Sequence, residues 1–274
     1  MSKIAYDPTK DRMAGLIREN LFLRRFFYLI LDLFFLRSWH VRRKLRQFKK
    51  KQGNRIQQVL DAGSGFGQYD RQLLKIFPQS QVKAVDIKED YLRDCRYYFE
   101  RSRYNERITF EQADLLEWEE EPNYDLVLCV DVLEHIDQDV EVMRRLAGSM
   151  KNGGYFVMHS PSIYAEEDAG DDEFFVEEHA RVGYGIKELR KKMSQAGLEP
   201  VDVHYTYGRY GHAAWVILIK YPMLWMTNLG FGAIALLPFW YLLTFIPGMI
   251  LNAIDVRRKS PQGTGIVGVG VKRG

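Results

Sequence analysis

Cysteine is almost missing from this chain. Of 274 residues only Cys95 and Cys129 carry thiols, far apart and in no metal or redox spacing. A disulfide scaffold is excluded, and free thiols in a reducing cytoplasm are expected. A secretory leader is not expected either, because residues 1–20 are polar and charged, with no apolar core or small-residue cleavage site. Internal repeats and low-complexity linkers are absent. Charge of one sign is missing in two places. Residues 37–51 (RSWHVRRKLRQFKKK) contain no acid, and residues 165–178 (AEEDAGDDEFFVEE) contain no base. The net charge of +3 hides this segregation. Charge of either sign is missing from residues 221–254, a run long enough to raise the question of a membrane.

What is present begins with an apolar segment. Residues 11–36 read as a helix, dense in apolar residues (LFLRRFFYLILDLFFL) and interrupted by Arg24, Arg25 and Asp32. That pattern suits an amphipathic helix lying on something apolar better than a span. The basic tract continues it, also as helix. From residue 53 the texture changes. Short β-rich runs stand at 56–62, 81–87, 108–115, 124–132, 155–161, 198–208 and 264–273. Helical stretches stand between them at 68–77, 88–102, 138–150 and 186–197, the third stopped by Asn152-Gly153-Gly154. Alternating strands and helices specify βαβ units and a mostly parallel sheet, whose ligands bind outside the carboxyl ends of the strands.

The first such end is VLDAGSGFG, with Gly63, Gly65 and Gly67 between strand and helix. Glycines there let the backbone turn tightly and approach a ligand. Asp61 precedes the loop, where it can meet a cationic amine. Asp86 ends the second strand about 20 residues on, where an acid takes ribose hydroxyls. A nicotinamide dinucleotide would call for a glycine at 68, where glutamine stands.

With VLDAGSGFG, VDI (85–87), QADLLEW (112–118), DLVLCVDVLEHI (125–136) and NGGYFVMHSP (152–161) in this order, the chain resembles the class I S-adenosylmethionine (SAM) dependent methyltransferases. The likeness covers about 56–208 and the last strand. It implies an α/β, Rossmann-like sheet of seven strands, the last antiparallel, and SAM as cofactor. It also implies roles. The backbone of Gly63, Gly65 and Gly67 packs against the methionine part, Asp61 approaches its ammonium, and Asp86 holds the ribose diol. Ile87 lies on the adenine face, Asp114 and the Leu115 amide read the adenine edge, and Asp131 sits near the sulfonium. For the aspartates, capping of the following helices is the alternative. The stretch DVLEH resembles the ubiquinone-type O-methyltransferase branch, in which such residues can hold a divalent cation. No metal is assigned here, and Glu134 and His135 are read as polar lining.

Methyl transfer from a sulfonium asks the enzyme chiefly to align donor and acceptor. A base is needed only for a neutral hydroxyl acceptor. His179, in the loop after the fifth strand, and His135 are the catalytic candidates, with His159 a third. The acidic tract 165–178 reads as a solvated loop.

The resemblance also constrains the charge-free run. The last two strands pair in one sheet, so both lie on one side of any membrane. The segment between them must enter and return, or lie flat, and Pro222, Pro238 and Pro247 are expected to break it. Trp215, Trp225, Trp240 and Tyr241 suit an interface. Lys220, Arg257, Arg258, Lys259 and the 37–51 tract suit anionic headgroups. Three parts are expected: N-terminal amphipathic and basic helices (1–52), a SAM-binding methyltransferase domain (53–208 and 264–274), and an apolar membrane-associating insert (209–263). The sixth strand ends at the SAM edge, so the insert overhangs the site. The expected protein is a methyltransferase on the cytoplasmic face of a membrane, peripheral or monotopic, acting on a lipophilic acceptor such as an isoprenoid quinone precursor or a lipid, with oxygen the nucleophile. The alternatives are a soluble small-molecule methyltransferase whose insert is a lid or homodimer interface, and a SAM-binding protein without catalysis. Nucleic acid is not an expected partner, since no Asn/Asp-Pro-Pro-aromatic motif follows the fourth strand.

Overall fold

The computed structural model describes residues 20–165, 182–230 and 232–273. His179 and all of the acidic tract but Ala165 lie outside them. The chain opens with α1 (Leu21–Phe34) and α2 (Leu36–Gln52). The α/β body follows as β1 (Gln58–Ala62), α3 (Gln68–Ile76), β2 (Gln81–Asp86), α4 (Glu89–Glu100), β3 (Ile108–Gln112), β4 (Tyr124–Val130), α5 (Asp139–Gly148), β5 (Met150–Pro161), α6 (Ile186–Gln195) and β6 (Leu198–Thr206). Then come α7 (Arg209–Trp215), a π-helical turn (Val216–Lys220), α8 (Tyr221–Leu229), α9 (Gly232–Asp255) and β7 (Gly265–Lys272).

The seven strands form one sheet in the order β3-β2-β1-β4-β5-β7-β6. β7 is antiparallel to both neighbours, and the other pairs are parallel. The order reverses between β1 and β4, which opens a crevice at their carboxyl ends. Apolar residues alternate across the strands and build a core on each face. Leu126, Leu128, Val59 and Val157 join one cluster, and Val127, Cys129, Leu60 and Phe156 the other. Asn152-Gly153-Gly154 bulges within β5 and does not stop a helix. The register jumps there, from Tyr124 opposite Met150 to Leu126 opposite Tyr155.

The N-terminal helix docks the opposite way round from a soluble amphipathic helix. Its polar residues at one-turn spacing, Arg24, Tyr28 and Asp32, are buried, while Phe22, Phe26 and Leu29 face solvent. Burying Arg24 and Asp32 is tolerated because both are saturated. Arg24 donates to the Asp94 and Phe66 carbonyls (2.7 and 3.2 Å) and to the Tyr28 hydroxyl (3.0 Å). Asp32 accepts from Ser38 (2.9 Å), Gln68 (3.1 Å) and Gln72 (2.6 Å) and pairs with Arg71. Asp32→Ala strands these donors, and chemical denaturation is expected to show a loss on the order of 3 kcal/mol.

The insert is a helical hairpin. α7, the π turn and α8 run out in one continuous arm, and α9 returns. Neither Pro238 nor Pro247 breaks α9, contrary to the expectation from sequence. Tertiary bonds hold it. The Trp240 indole donates to Ile217 O (2.7 Å) and the Tyr241 hydroxyl donates to Leu218 O (2.8 Å), both carbonyls of the π turn. The polar edges of these two aromatics therefore serve the hairpin interior. Pro222 lies inside this continuous arm, where its missing N–H leaves a carbonyl of the preceding π turn without a helical donor.

Candidate functional site

Two groups of residues converge at the carboxyl ends of β1, β2, β4, β5 and β6. The first is the glycine loop. Gly63 has φ 80°, and a Cβ there would meet Val132 Cγ2 at 2.2 Å. Gly65 has φ 52°, and where its Cβ would project nothing lies within 4 Å. The first glycine is fixed by packing, and the second leaves an open backbone ledge. Gly67, also at positive φ, opens α3. Asp86 closes the loop from β2, accepting from the Gly65 amide (2.8 Å) and the Lys88 amide (2.9 Å). Ile87, next to it, is 57% exposed, an apolar plate beside the ledge. Asp114 accepts from the Leu116 amide (2.9 Å) in the turn after β3, and the Leu115 side chain is buried. Asp61 is buried, and burial pushes its carboxyl up to about 7.

The cofactor implied by the sequence fits this arrangement. Asp61 Oδ2, Ser64 Oγ and both Asp70 oxygens are buried without a hydrogen-bond partner. Such atoms call for a bound donor. An exposed ledge, an acid for a diol, an apolar plate and buried acceptors match a nucleoside carrying a cationic amino acid. SAM, when bound, supplies an electrophilic methyl group on sulfur.

The second group surrounds Asp131, which directly follows β4 with φ 52°. Tyr207, directly after β6, has φ 58°, a conformation rare for an aromatic residue. Backbone strain of this kind persists where surrounding contacts enforce it, commonly at functional sites. Asp131 pairs with Arg37, carried by α2, and accepts from His159 Nδ1 (3.0 Å). Thr206 faces the other nitrogen of His159 at 3.3 Å, and the Tyr207 ring packs on the imidazole. Burial, then Arg37, drives His159 down to about 3, so the ring is neutral. Burial works against the Arg37 charge, but Tyr69, Tyr207 and Glu134 around it outweigh that. Glu134 is buried, its Oε2 accepting from Ser160 (3.0 Å), and burial raises its carboxyl above the usual range. Arg37 Nε, Tyr69 OH and Glu134 Oε1 are all buried, with Arg37 and Tyr69 in hydrogen-bonding reach of each other and Glu134 Oε1 without a partner. They form a second polar cluster beside the glycine loop.

His135 is exposed in the turn Leu133–His135, whereas its neighbour Glu134 turns inward. His159 is tied on both ring nitrogens. Arg37, Tyr69 and Tyr207 were not distinguishable from sequence. Arg37 reads as one cation among many in a basic tract, and only the docking of α2 over the sheet edge singles it out. Within that tract Lys44 pairs with Asp202 (2.8 Å), while Arg43, Arg46, Lys50 and Lys51 stay on the surface. The hairpin is anchored at the same edge. Asp255, at the end of α9, meets His40 Nε2 (3.1 Å) and accepts from the Gly211 amide (3.0 Å), and the His40 ring abuts Tyr207.

Comparison with known proteins bears on the domain and the fold. Residues 59–154, from β1 into β5, match the family described as methyltransferase domain. An uncharacterized protein of Synechococcus is 31% identical over 109 residues, 39% of this chain and 25% of that protein. Ubiquinone biosynthesis O-methyltransferase of Xanthomonas campestris is 26% identical over 96 residues, 35% of this chain and 39% of that enzyme. These matches span only a quarter to two fifths of the curated relatives. An O-methyltransferase of a Brevibacillus brevis polyketide synthase, solved with S-adenosyl-L-homocysteine, superposes with TM-score 0.55 at 14% identity, over 84% of this chain and 72% of that one. That likeness shows the fold. The sheet is the class I methyltransferase sheet, and the segment from β1 into β5 is a SAM-dependent methyltransferase domain.

Proposed function

We propose that the whole protein is a SAM-dependent methyltransferase seated on a membrane surface, methylating an oxygen of a lipophilic acceptor such as an isoprenoid quinone precursor or a lipid. The observation that carries this reading is one apolar surface at the edge of the site. In α9, Phe239, Leu242, Leu243 and Ile246 are each at least two-thirds exposed. The exposed apolar face of α1 adjoins it, since Phe34 packs on Tyr241 and Phe245 (ring centroids 5.8 and 6.0 Å). Monomeric soluble proteins rarely expose so large a patch. A bilayer is the occupant we favour, because the cations Arg43, Arg46, Lys50, Lys51, Arg257, Arg258 and Lys259 leave a basic surface on the same molecule. Ile234–Asp255 is long and apolar enough to cross a bilayer by length and composition. The outgoing arm is not. Beyond Lys220 its apolar part, α8, reaches only about 14 Å at 1.5 Å per residue, half of a hydrocarbon core about 30 Å thick. The hairpin therefore enters one leaflet and returns.

A lipid-dissolved acceptor would pass from that leaflet to the polar cluster of Arg37, Tyr69 and Glu134. Arg37 and Tyr69 would bind its oxygen. Glu134, with a raised pKa and a vacant oxygen, suits the proton acceptor better than the exposed His135.

The test is sedimentation with neutral and anionic vesicles at low and high salt. Vesicles made from a total lipid extract are then incubated with methyl-tritiated SAM. The expected result is pelleting that survives high salt, and label recovered in the organic phase. Protein that stays in the supernatant and elutes as a dimer would reassign the apolar surface to self-association.

A further inference from the structure

The glycine loop packs against a second acid that the sequence does not single out. Asp70 lies in the first turn of α3, where acids ordinarily favour exposed helix N-termini. Here it is fully buried, and neither of its oxygens has a donor. A Cβ on Gly67 would lie 3.3 Å from Asp70 Oδ2, so the loop backbone runs along this side chain. The carboxyl of Asp70 sits within hydrogen-bonding reach of Asp61 at the end of β1, and Asp61 Oδ2 also lacks a donor. Ser64, inside the loop, adds a third buried side chain whose oxygen is unpartnered.

Two ionised carboxylates are acceptors only and cannot satisfy each other. The charges around them do not help. Asp86, from β2, adds negative charge to both. Arg24, from α1, is the cation that acts on Asp70, but its guanidinium is bonded to the Asp94 and Phe66 carbonyls, Tyr28 and Cys95. Tyr69 and Cys129, also near Asp61, are held neutral by burial. A buried pair of this kind has two stable fillings: one shared proton, or a cation with several N–H donors. The glycine loop is where such a cation is expected, as the α-ammonium of SAM.

We propose that Asp70 completes the cofactor site, forming with Asp61 a carboxylate pair that holds a proton in the free protein and releases it to solvent when the SAM ammonium takes its place. This rests on the reading of the chain as a SAM-dependent enzyme. Burial raises both carboxyls, Asp61 to about 7 and Asp70 well above its ordinary range, in line with a proton retained near neutrality. The free protein then binds more protons than the complex, so affinity rises with pH while the pair is protonated. One released proton means about tenfold per pH unit.

Calorimetry of SAM binding between pH 5.5 and 7, in buffers of different ionisation enthalpy, measures that proton. The range stays below the ordinary α-amino pKa of about 7.7–8.0, so the ligand keeps its charge. The wild-type protein is expected to release about one proton per SAM, with affinity rising about tenfold per pH unit. 5′-Methylthioadenosine, which keeps the nucleoside and lacks the amino acid, is expected to bind without release. Asp70→Asn is expected to remove most of the release while SAM still binds. SAM binding with no proton released, or equal release with methylthioadenosine, would overturn the proposal and leave the cofactor reading standing. A wild-type protein that does not bind SAM at any pH would overturn the cofactor reading itself. The wild-type comparison of the two ligands decides the matter even if the variant does not fold.

Discussion

Asp86→Ala is expected to lower SAM affinity at least a hundredfold while the protein stays folded. The carboxylate accepts two backbone amides, from Gly65 and Lys88. An ionised carboxyl has about four lone-pair sites, so two remain for a ribose diol. A hydrogen bond to a charged group contributes about 1.5–3 kcal/mol, and two such bonds correspond to a factor of a hundred or more. The alanine variant also frees the Gly65 amide and loosens the ledge, which acts in the same direction. Asp86→Asn keeps the shape and part of the amide binding and should fall between. Calorimetric titration with SAM measures all three proteins, and an unchanged affinity in the alanine variant would remove the ribose assignment.

That site was legible because its chemistry is local. A strand, three glycines and an acid at the end of the next strand stand within about 25 residues, and βαβ connectivity brings those ends together. Asp61 and Asp86 can be placed from such spacing alone. Asp70 cannot, because an acid in a first helical turn has an ordinary explanation until its burial is known. Arg37 and Tyr207 are harder still. They lie far apart in the sequence, and only the docking of α2 across the carboxyl edge brings Arg37 to Asp131. The N-terminal helix shows the limit of pattern reading most clearly. Arg24, Tyr28 and Asp32 share one face, as amphipathic periodicity allows, but the pattern does not say which face is inside. The inside is polar because α3 and the glycine loop supply partners for both charges. The prolines of α9 belong to the same class. Each removes one helical bond, yet α9 runs through both, and the side-chain bonds from Trp240 and Tyr241 that tie it to the neighbouring arm are invisible in the sequence.

The triple substitution of Phe239, Leu242 and Ile246 with aspartate should free the protein from vesicles, weakening binding by a thousandfold or more. The three side chains share one face of α9 and are 71%, 78% and 67% exposed. Because solvent already surrounds them, the charges replace no core contact, and the melting temperature should hardly move. In a bilayer each lost side chain removes about 1.5–3 kcal/mol of burial, and the carboxylates resist entry as well. Cofactor binding, measured on the same variant, should be unchanged, since the Asp255 anchor to His40 and Gly211 lies two turns beyond the substituted face. Transfer of labelled methyl to acceptors in vesicles should then collapse, while detergent-solubilised acceptors should still be methylated. That split separates a surface that delivers the acceptor from one that builds the site. If the variant instead lost SAM affinity together with vesicle binding, the hairpin would be part of the catalytic body. If it converted a dimer to a monomer and the parent never pelleted with lipid, the apolar face would be a contact between two copies of the chain.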